Sequence, residues 1–298
     1  MTKMRKSPSL IKKFRELSLV AKIVLVLLFF FFVFEAIVHI YPIFWVVNNS
    51  IKTSEEFLDS TTALTTTWSF KNYLQSFDSF KVNGSIGFST MLFNSLWITF
   101  LYLLVNVGSS VMLAYGLARF KFPGRKFLYG IIIFIQTIPL FGAGAADYKL
   151  KYDLGLVNNP ALIWISWAMG FDYTCFILYG TFGGISKSYS EAAEIDGASQ
   201  LQVLLNVILP QAFPTILALL VTNFAGQWND YTRPQVYLTN YPNLAYGLYL
   251  FEDKANWEAN AKGMYFASIV ICAIPPVIIY TLSQNLIIKN ISVGGIKG

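Results

Sequence analysis

The chain has 298 residues, of which 55% are hydrophobic and only 13% are charged, and its formal net charge is +6. Soluble domains carry about 25% charged residues, so this composition cannot give a chain of this length a water-facing surface. The high hydrophobic fraction excludes an intrinsically disordered chain, and the presence of only two cysteines excludes a disulfide scaffold. We therefore expect an integral membrane protein.

Six stretches are long and apolar enough to cross a membrane, which takes about 20 helical residues. They are residues 23–47, 92–118, 128–146, 160–182, 211–229 and 263–288. The first is longer than the core of an ordinary secretory signal and is followed by no small-residue cleavage pattern, so we interpret it as a retained span. The predicted fold class is an all-α membrane protein with six transmembrane helices.

An even number of spans places both termini on one side of the membrane, and the basic residues indicate which side. Fourteen of the 22 Lys and Arg fall on the side of the N-terminus, which the positive-inside rule assigns to the cytoplasm. The predicted organisation is a basic cytoplasmic arm at 1–22, a transmembrane domain at 23–288 and a cytoplasmic tail at 289–298. We expect the arm to contact anionic lipid of the cell membrane, and we expect no nucleic-acid partner.

Two predicted outer segments are too long to be simple turns. Residues 48–90 are polar enough to form a small lid or a docking surface. Residues 231–261 combine aromatic and acidic side chains. Exposed aromatic residues beside acids suit a contact with a protein or a sugar, and an aromatic belt at the membrane interface is an equally good explanation.

The inner loop at residues 186–210 carries the most information. Ser190 followed by Glu191 and Glu194 predicts a helix start, since hydroxyl and carboxylate groups favour the positive end of a helix. Gly197 permits a sharp bend, and we expect a second helix that stops at Leu209-Pro210. The loop is therefore predicted to be a short helix-turn-helix with a rigid surface that a cytoplasmic partner binds.

The spacing of Glu191-Ala192-Ala193, Gly197 and Leu209-Pro210 resembles the EAA loop of ATP-binding cassette (ABC) importer permeases. Val207 replaces the usual Ile of that pattern, and Ser186 stands where the family usually has a Pro before the motif. Together with matches along most of the chain, this makes the sequence similar to the MalG type of carbohydrate permease. The further matches are Ser50-Ile51-Lys52, Asn72-Tyr73, Asn94-Ser95, residues 118–125, Trp228-Asn229-Asp230 and residues 294–298.

The resemblance implies a transport subunit that is not itself an enzyme and that works inside a larger importer. The implied partners are a second permease subunit in a heterodimer, two cytoplasmic ATPase subunits and an external solute-binding protein. Because this chain has no phosphate-binding GxxxxGK[ST] loop, we expect ATP and Mg²⁺ on the ATPase subunits and no cofactor on this chain.

Two groups of residues are implied to contact the ATPase subunits. The coupling group is Glu191, Ala192, Ala193, Asp196, Gly197, Leu209 and Pro210. The second group lies in the C-terminal tail, where a frayed terminus is the competing interpretation, and consists of Gly294, Gly295, Lys297 and Gly298.

Ionisable groups within the predicted spans are candidates for the solute route. Glu35 and His39 are spaced i,i+4 on one helix face and can pair, whereas Asp172 is the single charge of its span. An Asp at membrane depth costs about 2.5–3.5 kcal/mol, so such groups should face water or protein. They either line the solute route or contact the partner permease, as do the further candidates Asn223, Trp228 and Asn229. Pro139 and the pair Pro275-Pro276 are candidates for gating kinks or for ordinary helix curvature.

The expected function is import of a sugar or oligosaccharide by alternating access. The alternatives are import of a peptide or of a glycosaminoglycan-type fragment, and transport by this chain alone as a secondary transporter. A membrane enzyme is disfavoured because His39 is the single histidine and no catalytic constellation or metal-ligand cluster is present. Cys175 and Cys272 lie in apolar runs and are predicted to be buried thiols.

Overall fold

The computed structural model describes residues 17–138, 142, 144–168, 170–258 and 261–294. Within these ranges the regular structure is helical, apart from an isolated β-bridge between Val82 and Ile86. Most of the predicted N-terminal arm lies outside the described residues. So do Pro139 and three of the predicted tail contacts, Gly295, Lys297 and Gly298.

The helices follow one another along the chain with short connections. In order they are α1 Leu19–Ser50, α2 Ser54–Asp59, α3 Lys71–Ser79, α4 Phe88–Arg119, α5 Arg125–Thr137, α6 Gly144–Asp153, a 3₁₀ helix Ile163–Trp167, α7 Tyr173–Gly184, α8 Lys187–Ile195, α9 Gln200–Val203, a π segment Leu204–Ile208, α10 Leu209–Trp228, α11 Thr232–Tyr237, α12 Leu244–Trp257 and α13 Lys262–Gly294.

Four of these helical stretches are long and apolar enough to cross a membrane. They are α1, α4, the continuous stretch Gln200–Trp228, and Lys262–Leu286 within α13. These helices cover the first, second, fifth and sixth predicted spans. The chain is therefore a multi-pass membrane protein.

The third and fourth predicted spans do not each coincide with one long helix. The third is occupied by α5, which has 13 residues, and by the start of α6. In the fourth, an extended Asp172 separates the 3₁₀ helix from α7, and its carboxylate accepts from the N–H groups of Thr174 and Cys175. A residue in extended conformation whose side chain caps the following helix cannot itself continue a helix, so the break falls at Asp172.

Helix α4 is the centre of the bundle. Toward one end Met91 packs with Trp228 and Phe251, and toward the other Ala114 packs with Leu178 and Ile208. Small and apolar side chains at these crossings let α7, α10 and α12 close around α4 and remove their surfaces from the surroundings. Both cysteines are buried and unpaired, as the sequence predicts.

Helix α1 lies apart from this core. Its C-terminal end contacts α13, where the rings of Trp45 and Phe266 meet edge to face at 5.1 Å. None of the residues in its most apolar window is buried within the chain. Most of α1 therefore faces lipid or another subunit.

The segment after α1 is folded tightly by polar side chains. The Lys52 side chain is buried and donates from Nζ to the Ser60 carbonyl at 2.7 Å. Burial lowers the pKa of Lys52, and the nearby Glu56 carboxylate offsets part of this effect. Asn72 Nδ2 donates to the carbonyls of Ser50 and Lys52 at 2.9 and 2.8 Å. These bonds fix the loop against the end of α1.

Candidate functional site

The helix that carries the Glu-Ala-Ala motif begins earlier than the sequence suggests. Its N-cap is Ser186, whose hydroxyl accepts from the Ser188 N–H at 3.3 Å, so Ser190 lies inside α8 and not at its start. Ser186 follows closely on the end of α7 at Gly184, which makes its hydroxyl the first one available to satisfy the free N–H groups of a new helix. The residue that replaces the family's usual Pro is thus a helix cap.

Gly197 makes the bend that ends α8. Its φ of +84° lies in the left-handed region, which glycine adopts without a side-chain clash. The Gly197 N–H donates to Glu194 O at 3.0 Å and the Ala198 N–H donates to Ala193 O at 2.9 Å, which is the paired bonding of a Schellman motif. The predicted bend therefore has the hydrogen bonds that hold it in place.

The second half of the loop differs from the prediction, because the helix does not stop at Leu209-Pro210. It starts at Ser199, whose side chain forms a capping box with Gln202, and continues into α10. Within the π segment the Leu209 N–H reaches back five residues to Leu204 O. A proline ring clashes with the carbonyl four residues before it in an α-helix, and the wider π turn accommodates Pro210.

The coupling group is largely exposed. Glu191, Ala192 and Asp196 are exposed, whereas Ala193 packs partly against the core at the α7–α10 crossing. Apolar side chains beside them are also exposed, with Ile195 at 86% of its full area. This combination of two acidic residues, one exposed alanine and an exposed isoleucine is a surface that a close-packing partner can cover.

A polar cavity of about 410 Å³ lies between α4, the 3₁₀ helix, α7 and α11. We call it the outer cavity because Arg233, in the predicted outer segment 231–261, lies in its wall. Asp172 lies in its wall, and Ser110 Oγ lies 3.4 Å from the Asp172 carboxylate. An adjoining cavity of about 440 Å³ is lined by Asn223 and Asn229. Asn223 is buried and donates to Thr174 Oγ1 at 3.3 Å and to Leu219 O at 2.9 Å.

The cations at the outer cavity are already paired. Lys151 Nζ lies 2.7 Å from Asp147 Oδ2 and 4.2 Å from the centre of the Tyr237 ring. Burial acts to raise the pKa of Asp147, but hydrogen bonds from Lys151 and Tyr237 outweigh it and the pKa is lowered. Burial and the hydrogen bond to Asp147 raise the pKa of Tyr237 to about 12. Tyr237 therefore remains a neutral donor at physiological pH.

Arg233 also lies in the wall of the outer cavity. Its Nε lies 3.3 Å from Asp230 Oδ2, and its guanidinium lies 4.9 Å from the centre of the Tyr102 ring. It also donates to the side-chain oxygen of Gln227. An ion pair with a stacked aromatic ring fixes the guanidinium in one position.

The structure does not bring all the predicted pathway residues together. Glu35 and His39 do pair on α1, at 3.6 Å between Oε2 and Nδ1. His39 is exposed, Glu35 is half-buried, and neither lines the cavities described above. Trp228 is buried in the core, and Gly294 ends α13. The sequence reasoning missed Tyr102, Asn106 and Gln227. Asn106 and Gln227 are recognisable in retrospect as uncharged amides within otherwise apolar helices.

Comparison with known proteins gives consistent results. A family described as "Binding-protein-dependent transport system inner membrane component" matches residues 107–293. The chain is 30% identical over 262 residues to the diacetylchitobiose uptake system permease protein NgcG of Streptomyces coelicolor. The aligned region covers 87% of this chain and 84% of that protein. It is 26% identical over 271 residues to the trehalose/maltose transport system permease protein MalG of Thermococcus litoralis, with coverage of 88% and 93%.

The fold also has a solved counterpart. A chain from a bacterial ABC transporter involved in the import of the acidic polysaccharide alginate superposes with a TM-score of 0.73. That match covers 90% of this chain and 98% of the other at 24% identity. This likeness shows a shared helical fold, and the family match shows the class, a membrane component of a transport system.

The family match spans more than half of the chain and includes the whole loop at residues 186–210. The chain belongs to the binding-protein-dependent transport system inner membrane component family, and it is an ABC importer permease similar to the MalG type.

Proposed function

We propose that this chain is the membrane-spanning permease subunit of an ATP-driven importer for a sugar or oligosaccharide. The observation that carries the proposal is the rigid, exposed helix α8, capped by Ser186 and closed by the Gly197 bend. A stand-alone secondary transporter needs no such loop. Relatives named for uptake of diacetylchitobiose and of trehalose or maltose favour a sugar over a peptide or a glycosaminoglycan-type fragment.

The coupling route in this proposal is one continuous helical stretch. Gln200–Trp228 has 29 residues, which corresponds to about 44 Å at 1.5 Å per residue. It begins next to α8, and at its far end Asn223 and Gln227 line the cavity that adjoins the outer cavity. We call this stretch the rod. When the ATPase pair closes and displaces the loop, the rod would carry the movement to the cavity, and this movement would drive alternating access.

The proposed assembly contains a second permease subunit, two cytoplasmic ATPase subunits and an external solute-binding protein. A solved relative is described as an alginate ABC transporter in complex with a periplasmic protein bound to an alginate pentasaccharide, which supports the last of these partners. ATP and Mg²⁺ would bind to the ATPase subunits. The contacts of the C-terminal tail, which include Gly294, remain part of this proposal.

The proposed topology has six spans, with α5 and α7 completing the third and fourth crossings, and both termini in the cytoplasm. Single-cysteine variants in a Cys175→Ala, Cys272→Ala background test it in intact cells with an impermeant thiol reagent. Variants at Ser60 and Asn256 should label from outside, and a variant at Ser190 should not. Labelling at Ser190 from outside would reverse the orientation and remove the coupling role from α8.

The function itself is tested with the complete importer reconstituted in liposomes. Glu191→Arg should introduce repulsion against the basic partner that the family resemblance implies, and Gly197→Pro should destroy the bend. Both should reduce solute-stimulated ATPase activity and uptake together, while binding of solute by the external protein stays unchanged. Glu55→Arg, an exposed charge reversal on α2, is the matched control and should preserve both activities. Wild-type uptake by both loop variants would show that the loop is a passive connector.

A further inference from the structure

Two buried polar atoms beside the outer cavity have no hydrogen-bond partner among the described residues. They are Asn106 Oδ1 and Gln227 Nε2. The exposed fraction of the residue is 8% for Asn106 and 2% for Gln227. Leaving a buried polar group unsatisfied costs about 1–3 kcal/mol, and native proteins rarely tolerate it without a reason. One acceptor and one donor are therefore free at this place.

Both atoms belong to one connected polar region. Asn106 lines the outer cavity and Gln227 lines the adjoining one, and the two cavities share Tyr102, Tyr173 and Arg233 as walls. Each has a volume within the range of about 300–1,000 Å³ that is typical of small-molecule sites. The two residues line the cavities while their unsatisfied atoms are buried, so each amide group has to turn toward its cavity to meet a ligand.

Five aromatic residues are among those that line the outer cavity. Tyr102 and Trp167 meet edge to face at 5.8 Å, and Tyr173 and Phe171 complete the outer cavity. Apolar rings with a few fixed polar groups suit a ligand that has one flat apolar face and a polar edge. A sugar ring has that form, because its C–H bonds make a face and its hydroxyls make an edge.

The charged residues in the cavity wall favour an uncharged sugar over an acidic one. Arg233 is engaged by Asp230 and Lys151 by Asp147, so both cations in the wall are already neutralised. Asp172 has no ion pair among the described residues and is held by two backbone N–H groups and the Ser110 hydroxyl. A sugar carboxylate would meet the Asp172 charge with no unpaired cation among the described wall residues to offset it. A neutral sugar meets no such repulsion.

We infer that this region is a solute site within this subunit and that it takes one uncharged sugar unit. The amide groups of Asn106 and Gln227 bond to its hydroxyls, and Tyr102 with Tyr173 contacts its face. The inference rests on the proposed function, since it assumes that the importer carries a carbohydrate.

The test uses the complete importer with its binding protein in liposomes. A Ser166→Cys substitution in the Cys175→Ala, Cys272→Ala background places a thiol in the cavity wall. The probes are N,N′-diacetylchitobiose, maltose and galactobiose as neutral disaccharides and digalacturonate as the acidic one, at equal concentration. A neutral probe that is taken up should slow labelling of this thiol at least fivefold, and digalacturonate should not slow it.

Asn106→Leu and Gln227→Met remove the free polar atoms with little change of shape. Each should abolish the protection and reduce uptake at least fivefold, while ATP hydrolysis stimulated by the loaded binding protein stays within twofold of wild type. Gln75→Met, at an exposed amide on α3, is the matched control and should change neither reading.

The outcomes separate the inference from the function on which it rests. Neutral-sugar uptake without protection, protection that survives both substitutions, or equal protection by digalacturonate would overturn the site while leaving the importer intact. Absence of ATP-dependent uptake of every probe by the wild-type importer would instead overturn the proposed carbohydrate function and the site with it.

Discussion

The indole Nε1 of Trp228 donates a hydrogen bond to the carbonyl oxygen of Cys272 at 3.0 Å. In an unbroken α-helix that carbonyl would accept from the residue four positions later, which is Pro276 and has no N–H. Trp228, at the end of α10, therefore satisfies the group that the proline leaves free in α13. The bond joins α10, which follows the loop at residues 186–210, to the part of α13 just before its proline pair.

Replacement of Trp228 by Phe should destabilise the protein, because the Cys272 carbonyl loses its donor in a buried position. The expected cost is about 1–3 kcal/mol, measured as a lower unfolding temperature of the detergent-solubilised importer. Trp164→Phe is the control, since that indole is 40% exposed and bonds to the nearby Ala161 carbonyl. Equal shifts for the two variants would contradict the assigned role.

Gly197→Ala should strain the bend after α8 by about 1–2 kcal/mol, because φ is +84° there although no neighbouring atom would touch the added methyl group. Gly180→Ala, at an equally open position inside α7, should be neutral or stabilising. The comparison is made by co-purification of the ATPase subunits with each variant. Identical recoveries of the ATPase subunits with both variants would mean that the bend does not position the coupling group.

Gly263→Ala should disrupt the contact between α13 and α3. A Cβ at this glycine would lie 2.5 Å from Asn72 Nδ2, which itself bonds to the Ser50 and Lys52 carbonyls. We expect faster proteolysis of the loop at residues 48–90. Gly226→Ala has open space around it and is the control. A Gly263→Ala variant that resists proteolysis as well as Gly226→Ala would show that Asn72 can move without cost.

Glu56 should make the same loop sensitive to acid. Hydrogen bonds from Thr66 and Thr67, with a smaller one from Thr65, hold the pKa of Glu56 well below its usual range. Because the folded pKa is lowered, the stabilisation is complete above the unfolded value of about 4.3 and is lost as pH falls toward the folded pKa. Protease resistance of the wild-type loop should therefore decline below about pH 4.3.

Glu56→Gln removes the titrating group and should leave the loop weaker at neutral pH with a flatter acid response. Glu55→Gln, its exposed neighbour, should retain the wild-type profile. A wild-type profile for Glu56→Gln would indicate that the threonine contacts do not depend on the charge.

Local chemistry explains which features could be predicted from the sequence. The bend at Gly197 was predictable, because only a glycine adopts that conformation without strain. The choice between Ser186 and Ser190 as helix cap was not, since both precede suitable residues and the position of α7 decides between them. The prediction that the helix ends at Leu209-Pro210 was wrong, because it assumed a clash of the proline ring in an α-helix and the π turn removes that clash.

The grouping of polar residues around the outer cavity could not be predicted from the sequence. Its polar groups come from elements far apart in the chain, with Asn106 on α4, Lys151 on α6 and Arg233 on α11. These residues are too far apart in the sequence to form a recognisable motif. Asp172 was recognised because a charge within an apolar run is conspicuous, whereas amides such as Asn106 and Gln227 attract no attention until their burial is known.

The π segment at Leu204–Ile208 absorbs one additional residue and so preserves the rotational phase between the two ends of the helical stretch Gln200–Trp228. Each residue of an α-helix advances the side chains by about 100°, and a π turn holds one residue more than the α turn it replaces. Loss of a single residue there would leave a regular helix and intact packing at each end. Because the π turn and the α turn that would replace it each complete about one full turn, α8 would keep its direction around the rod axis. A residue added elsewhere in the stretch, where no π turn absorbs it, would instead turn the face that carries Glu191 by about 100° relative to the outer cavity.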